Sequence, residues 1–170
     1  VNIIDCFSAS KNLFGTVISS TYKLVKLVKA KKPDIIISFI TITNILSIVA
    51  AKMTGTKIII SERNNPYTVP ANKYFRLIRD FIYKFADGYV FQTEYAKNYY
   101  KKFNLRGKST VIYNPVSDAA KKYTGHKEKK IVTACRLEPQ KNISLLINSF
   151  AKVSIKYPDY SLDIYGEGSE

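Results

Sequence analysis

Arg136 and Lys141 are the residues in this sequence best suited to chemistry. They lie in Ile131-Val132-Thr133-Ala134-Cys135-Arg136-Leu137-Glu138-Pro139-Gln140-Lys141-Asn142, which reads as a buried strand running through a loop into a helix holding Leu145, Leu146, Ile147 and Phe150. A planar guanidinium fork and a mobile ammonium suit a diphosphate. The unpaired amides at a helix N-terminus favour an anion at the same place, and Asn142 or Ser144 is placed to cap that helix. The spacing alone is read equally well as an exposed loop whose cations pair with Glu138 or with water. A second polar cluster, Ser61-Glu62-Arg63-Asn64-Asn65-Pro66, begins where another buried strand ends.

The elements that must position these groups alternate between strand and helix. Leu13 to Ala30 predicts a helix, with Leu13, Val17, Leu24, Leu27 and Val28 on one side and Lys23, Lys26 and Lys29 interleaved, stopped by Pro33. Asp34–Ile40 is a β-branched run that predicts a strand buried on both faces. Asn44 to Met53 predicts a helix ending before Gly55, and Lys57–Ser61 the next strand. A polar loop from Glu62 to Asn72 follows, then helix Lys73–Phe85, strand Gly88–Gln92, helix Glu94–Phe103 and strand Ser109–Tyr113. Asp87-Gly88 reads as a helix stop and Thr93 as a helix cap. Parallel strands need crossovers, so this alternation predicts a doubly wound α/β sheet over residues 1–116. Asn114-Pro115 breaks the pattern, and residues 117–129 read as a lysine-rich linker in which His126 is solvated. A second α/β unit opens at 130, with strand Lys130–Ala134, helix Ser144–Lys156 and strand Ser161–Tyr165.

The chain has 170 residues and a formal net charge of +14. Residues 1–113 carry 18 Lys and Arg against 6 Asp and Glu, a net of +12; the remainder is nearly balanced. That basic first part would attract anionic lipid, phosphorylated acceptors or nucleic acid, or be no more than a solvated lysine surface. Phe75, Ile78, Ile82 and Phe85 form one stripe on the predicted helix, flanked by Lys73, Arg76 and Arg79. Such a stripe is more often core than membrane contact, although the flanking cations also suit an anionic bilayer. No apolar run reaches the roughly 20 residues of a membrane span. Cys6 and Cys135 lie far apart, which argues against a disulfide framework or structural zinc and suits a reducing cytosol. Walker, GxGxxG and Asp-x-Asp patterns do not occur. Charge and 13 Tyr prompt a nucleic-acid-binding reading, but no recognition motif of that class is found. Both ends of the sequence read as cuts within a longer protein.

The segments Arg136–Asn142, Leu145–Ala151, Tyr157-Pro158 and Leu162–Gly168, with Ser61–Asn64 and Pro66, Phe85–Gly88, Phe91–Thr93 and Asn114-Pro115-Val116, closely resemble family 4 glycosyltransferases of the GT-B fold. The resemblance covers nearly the whole chain, with several motifs in the same order. It implies an acceptor-binding N-terminal domain (1–116), a linker (117–129) and the start of a nucleotide-sugar-binding C-terminal domain (130–170), both incomplete. It implies a retaining, metal-independent hexosyltransferase in cell-surface or capsular polysaccharide biosynthesis. The donor is a nucleotide sugar, expected as a UDP sugar; the acceptor is a glycan or lipid-linked glycan. The expected location is the cytoplasm, peripheral on the inner face of a bacterial cell membrane. No other cofactor and no nucleic-acid partner is implied.

By that resemblance Arg136 and Lys141 bind the donor diphosphate and act as catalytic residues, with Asn142, Gly166 and Gly168 also on the donor side. Ser61, Glu62, Arg63 and Asn64 are expected on the acceptor side. Glu62 is a candidate general base, and a turn with a satisfied carboxylate fits it equally. Departures are plain: Cys135 stands where the family usually has Gly, and the family's glutamate pair and N-terminal glycine loop are absent. The 170 residues alone are therefore expected to be inactive, and a non-catalytic remnant that binds nucleotide sugar is the alternative.

Overall fold

The computed structural model describes residues 13–115, 125 and 127–169, so Val116, His126 and most of the expected linker lie outside the described residues. The chain divides into two compact units, 1–116 and 117–170. Each is a parallel α/β unit, the class the alternating pattern predicts.

The first unit orders its four strands β1 (Ile35–Phe39), β2 (Lys57–Glu62), β3 (Gly88–Phe91) and β4 (Lys108–Val111) sequentially, all parallel. The crossovers are α2 (Thr41–Thr54), α3 (Lys73–Tyr83) and α4 (Glu94–Lys101), and α1 (Leu13–Lys31) packs on α2. The register Phe39↔Ser61 and Glu62↔Phe91 brings the carboxyl ends of the first three strands level, where polar loops begin. The core between sheet and helices is rich in hydroxyl-bearing aromatics. Tyr83, Tyr89, Tyr99 and Tyr100 are buried beside Ile48, Ile58, Ile60 and Phe91. Tyr100 stacks on Phe91 and Tyr83, with ring centroids 5.2 and 5.6 Å apart. These four rings are spent on packing and cannot stack on bases.

Three expectations need correction. The first strand is not buried on both faces: Ser38 is buried, but Ile35, Ile37 and Phe39 are exposed, because among the described residues nothing covers that face and β1 is a sheet edge. The second helix starts at Thr41 rather than Asn44. Its N-cap, Ile40, has φ 72° and ψ 143°, a conformation that costs a β-branched residue about 1–3 kcal/mol. That geometry turns the Ile40 amide onto the Ser61 carbonyl at 3.2 Å, tying α2 to the end of β2. Finally, the stripe on α3 is partly core, with Phe75, Ile82 and Phe85 against the main cluster, but its flanking cations differ in fate. Lys73 is exposed, Arg76 reaches loop carbonyls and Arg79 is fully buried.

Caps follow local chemistry. Asn72 caps α3 by accepting from Tyr74 N at 2.8 Å and Phe75 N at 3.3 Å. Thr93 caps α4 by accepting from Ala96 N at 3.1 Å. Asp87 accepts from Ile58 N and pairs with Lys52, both at 2.9 Å. Partial burial would raise its carboxyl, but the Lys52 and Ile58 hydrogen bonds hold it below the ordinary range.

The second unit pairs β5 (Lys130–Ala134) with β6 (Ser161–Tyr165) in parallel around α5 (Ile143–Ser154). A 3-10 turn, Pro139–Lys141, precedes the helix. Pro139 at the start of this turn needs no amide hydrogen there.

Candidate functional site

In the second unit the loop carrying Arg136 is built on the backbone of the glycine loop. Cys135 N donates to Tyr165 O at 3.0 Å and Leu137 N to Glu167 O at 2.9 Å, so Arg136 sits between two anchored amides. Gly166 has φ 150°, and a Cβ there would lie 1.8 Å from the Cys135 carbonyl oxygen. A Cβ on Gly168 would lie 1.9 Å from the Leu137 carbonyl oxygen. These two glycines let the two chain segments touch. They shape the Arg136 loop from behind, a role that sequence spacing does not reveal.

Arg136 and Lys141 are both exposed, and among the described residues neither side chain is engaged by a carboxylate. The reading in which Glu138 neutralises them is thus not what the structure holds. Asn142 adopts a left-handed conformation (φ 51°, ψ 50°) and makes no side-chain cap; its carbonyl instead accepts from Leu145 N and Leu146 N. Neither Asn142 nor Ser144 caps α5 by its side chain. Cys135 is a free, half-buried thiol.

The first unit gathers its candidates at the carboxyl ends of the strands, the ligand side of a parallel sheet. Glu62 is 1% exposed. Its Oε1 accepts from the amides of Arg63 and Asn64, each at 2.9 Å. Its Oε2 accepts from Tyr83 OH at 2.6 Å and Thr41 Oγ1 at 3.1 Å. Asn64 Nδ2 donates in turn to Thr41 Oγ1 at 3.2 Å. Ser61 is buried, and its hydroxyl has no partner among the described residues. Arg63 is exposed, lies 5.2 Å from the Phe39 ring and donates to Asn114 Oδ1 at 2.9 Å. The same oxygen accepts from Gln92 Nε2. A recess of about 250 Å³ is lined by Arg63, Asn64, Asn65, Gln92, Thr93 and Tyr95, among others.

Two contributors escape a reading by residue type. Asn114 looks like the start of a linker, yet it orients Arg63; its only signal is the Asn-Pro motif. Tyr83 looks like one more apolar helix position, yet it binds both ends of a polar chain, because Asn44 Nδ2 also donates to its oxygen at 3.0 Å.

Burial, then the neighbouring Glu62, push the Tyr83 hydroxyl well above its ordinary value. Burial, then the Asp80 hydrogen bond, push Tyr99 from 10.0 to about 12. Burial also raises Tyr89 to about 12, and Tyr100 is raised further. A group with a raised folded-state pKa keeps its proton longer when native, so its stabilisation is intact below pH 10 and is lost as pH rises through the folded value. We expect stability to fall above pH 10, by up to about 1.4 kcal/mol per pH unit for each such tyrosine. Urea midpoints measured from pH 8 to 11.5 check this, and a flat profile would contradict it.

The profile described as Glycosyltransferase Family 4 matches residues 3–120. An uncharacterized glycosyltransferase of Methanocaldococcus jannaschii is 27% identical over 89% of this chain and 44% of its own length. A Campylobacter jejuni alpha-1,4-N-acetyl-D-galactosaminyltransferase, whose name gives a diNAcBac-PP-undecaprenol-linked GalNAc disaccharide as its acceptor, is 30% identical over 86% of this chain and 41% of its own. The chain thus spans less than half the length of either relative. A family match over more than two thirds of its residues, on a parallel α/β frame, places the chain in glycosyltransferase family 4.

Proposed function

We propose that the chain contributes the acceptor side and the diphosphate grip of a retaining, metal-independent glycosyltransferase. The donor is a nucleotide sugar, expected as a UDP sugar. The acceptor is a glycan or lipid-linked glycan in cell-surface polysaccharide assembly. The observation that carries the reading is the pair Arg136, before the turn that enters α5, and Lys141, at its end, both exposed and without a carboxylate partner among the described residues. As the sugar–phosphate bond breaks, charge builds on the β-phosphate oxygen. Fixed cations there stabilise that charge more than the ground state. Gly166 and Gly168 serve by holding the Arg136 loop in place, and Asn142 by entering the helix.

On the acceptor side, Arg63 and Asn64 face the recess and are assigned substrate contact. Ser61 is buried beneath them, and Glu62, which also lines the recess, holds the amides of Arg63 and Asn64. A general base must reach a substrate proton, whereas both Glu62 oxygens are already occupied by protein donors; we assign Glu62 to anchoring the loop. The exposed lysines of α1 suit attachment to the anionic inner face of a membrane, where a lipid-linked acceptor would lie. No described helix is long and apolar enough to cross one.

The test is a donor screen by product mass, using a chain of the relatives' full length with lipid-linked glycan acceptors, beside the 170 residues alone. Transfer by the long chain only is expected. Transfer by neither, with any donor, or equal transfer by both, would overturn the reading.

A further inference from the structure

The loop from Arg63 to Asn72 contains no helix or strand, and its internal backbone bonds are few. Thr68 N and Val69 N donate to Asn65 O at 3.3 and 2.9 Å, and Tyr67 N donates to Asn65 Oδ1 at 3.0 Å. Its shape is set instead by two arginines of α3. Arg79, with no exposed surface, donates from Nη2 to Pro66 O at 2.9 Å and from Nη1 to Val69 O. Arg76 Nη1 donates to Pro70 O at 2.7 Å and Ala71 O at 2.8 Å. Four carbonyls of one loop are therefore held by two adjacent turns of one helix.

The buried guanidinium is itself held rigid. Asp80 Oδ1 accepts from Arg79 Nε at 2.9 Å and Nη2 at 2.7 Å. Tyr99 OH lies 3.1 Å from Nη2 and donates to Asp80 Oδ2 at 2.7 Å. Tyr67 at the loop's crest packs its ring on Tyr95 and Tyr99, centroids 4.8 and 4.6 Å away. A merely structural ion pair would need Asp80 alone. Here the remaining donors point at a surface loop whose residues Asn65 and Pro66 form a wall of the recess beside Arg63 and Asn64.

We propose that Arg79, assisted by Arg76, is a positioning residue for sugar transfer: it fixes the 63–72 loop so that the recess takes the acceptor glycan. The inference rests on the acceptor-side reading above. A guanidinium reaches two carbonyls and a carboxylate at once, whereas an ammonium acts as a point charge, so Arg79→Lys keeps the charge and loses the grip.

The test pairs amide hydrogen exchange with kinetics in a chain of the relatives' full length. Because hydrogen bonds from a charged group are at stake, Arg79→Lys is expected to raise exchange in residues 63–72 about tenfold or more, with the β2 and β3 amides unchanged. Acceptor KM should rise about tenfold with donor KM within about twofold of the parent. Arg76→Gln, away from the core, should move both readouts the same way by less, and it serves where Arg79→Lys does not fold. Unchanged loop exchange overturns the latch. Faster exchange with an unmoved acceptor KM, or equal rises in donor and acceptor KM, overturns the loop's role in acceptor binding while donor chemistry at Arg136 stands.

Discussion

Arg136→Ala, in a chain of the relatives' full length, is expected to lower kcat/KM for the donor by about 30- to 1000-fold. That corresponds to about 2–4 kcal/mol of lost transition-state stabilisation, the range for comparable groups at a developing oxyanion. Lys141→Ala should fall in the same range. The double variant should lose less than the sum, because both cations act on one diphosphate. The structure sharpens the expectation, since neither side chain holds up the fold. Both are exposed without a carboxylate partner among the described residues, so thermal stability should hardly change. Initial rates at varied donor concentration, beside melting curves, separate the effects. Retention of activity within about threefold in both single variants would remove the diphosphate grip from this loop.

The second large effect is on stability. Glu62→Ala is expected to destabilise the first unit by about 3–5 kcal/mol, because it strands several buried hydrogen-bond donors at about 1–3 kcal/mol each, offset in part by removing a buried carboxyl. The truncation strands the Arg63 and Asn64 amides, the Tyr83 hydroxyl and the Thr41 hydroxyl together. Glu62→Gln should cost less, about 1–3 kcal/mol, because one amide oxygen still accepts while the new amine faces donors. Urea unfolding followed by far-ultraviolet circular dichroism measures both. An alanine effect below about 1 kcal/mol would show the four donors finding water, and the anchoring role would then be wrong. The same variant separates anchoring from base catalysis. A base would lose kcat with the fold intact, whereas an anchor loses the fold first.

What could be read from the residues followed from period and spacing. Alternating apolar runs and amphipathic helices predicted the parallel frame, and every described strand lies where the alternating pattern predicts one, within about two residues at its ends. Spacing alone left Arg136 and Lys141 open between a diphosphate grip and a solvated loop, and their assignment came through the family resemblance; the structure adds that both are exposed without a carboxylate partner among the described residues. Less could be read where a residue's type misstates its surroundings. Arg79 belongs by composition to a solvated face, yet Asp80 and Tyr99 give it partners that offset burial. Burial alone would lower its pKa, but the neighbouring Tyr100 and Asp80 raise it. Glu62 reads as either a base or a satisfied turn, and the Tyr83 hydroxyl that supports the anchoring role proposed above arrives from 21 residues away. The start of α2 was missed because Ile40 adopts a backbone angle that propensity assigns to glycine. Ile35, Ile37 and Phe39 follow the pattern of a doubly covered strand, but burial depends on neighbours that local sequence does not specify.

The open side of β1 bears on how this protein is handled. Among the described residues β1 forms the margin of its sheet, and Ile35, Ile37 and Phe39 supply a greasy surface next to it. Strands of that kind recruit one another between molecules unless a charge or proline intervenes, and the charges near this one, Lys32 and Asp34 at its beginning and Arg63 over the Phe39 ring at its end, leave its middle apolar. Concentrated solutions of the 170-residue chain should therefore cloud before they crystallise. A lysine at position 37, where the side chain already meets solvent, is the simplest remedy.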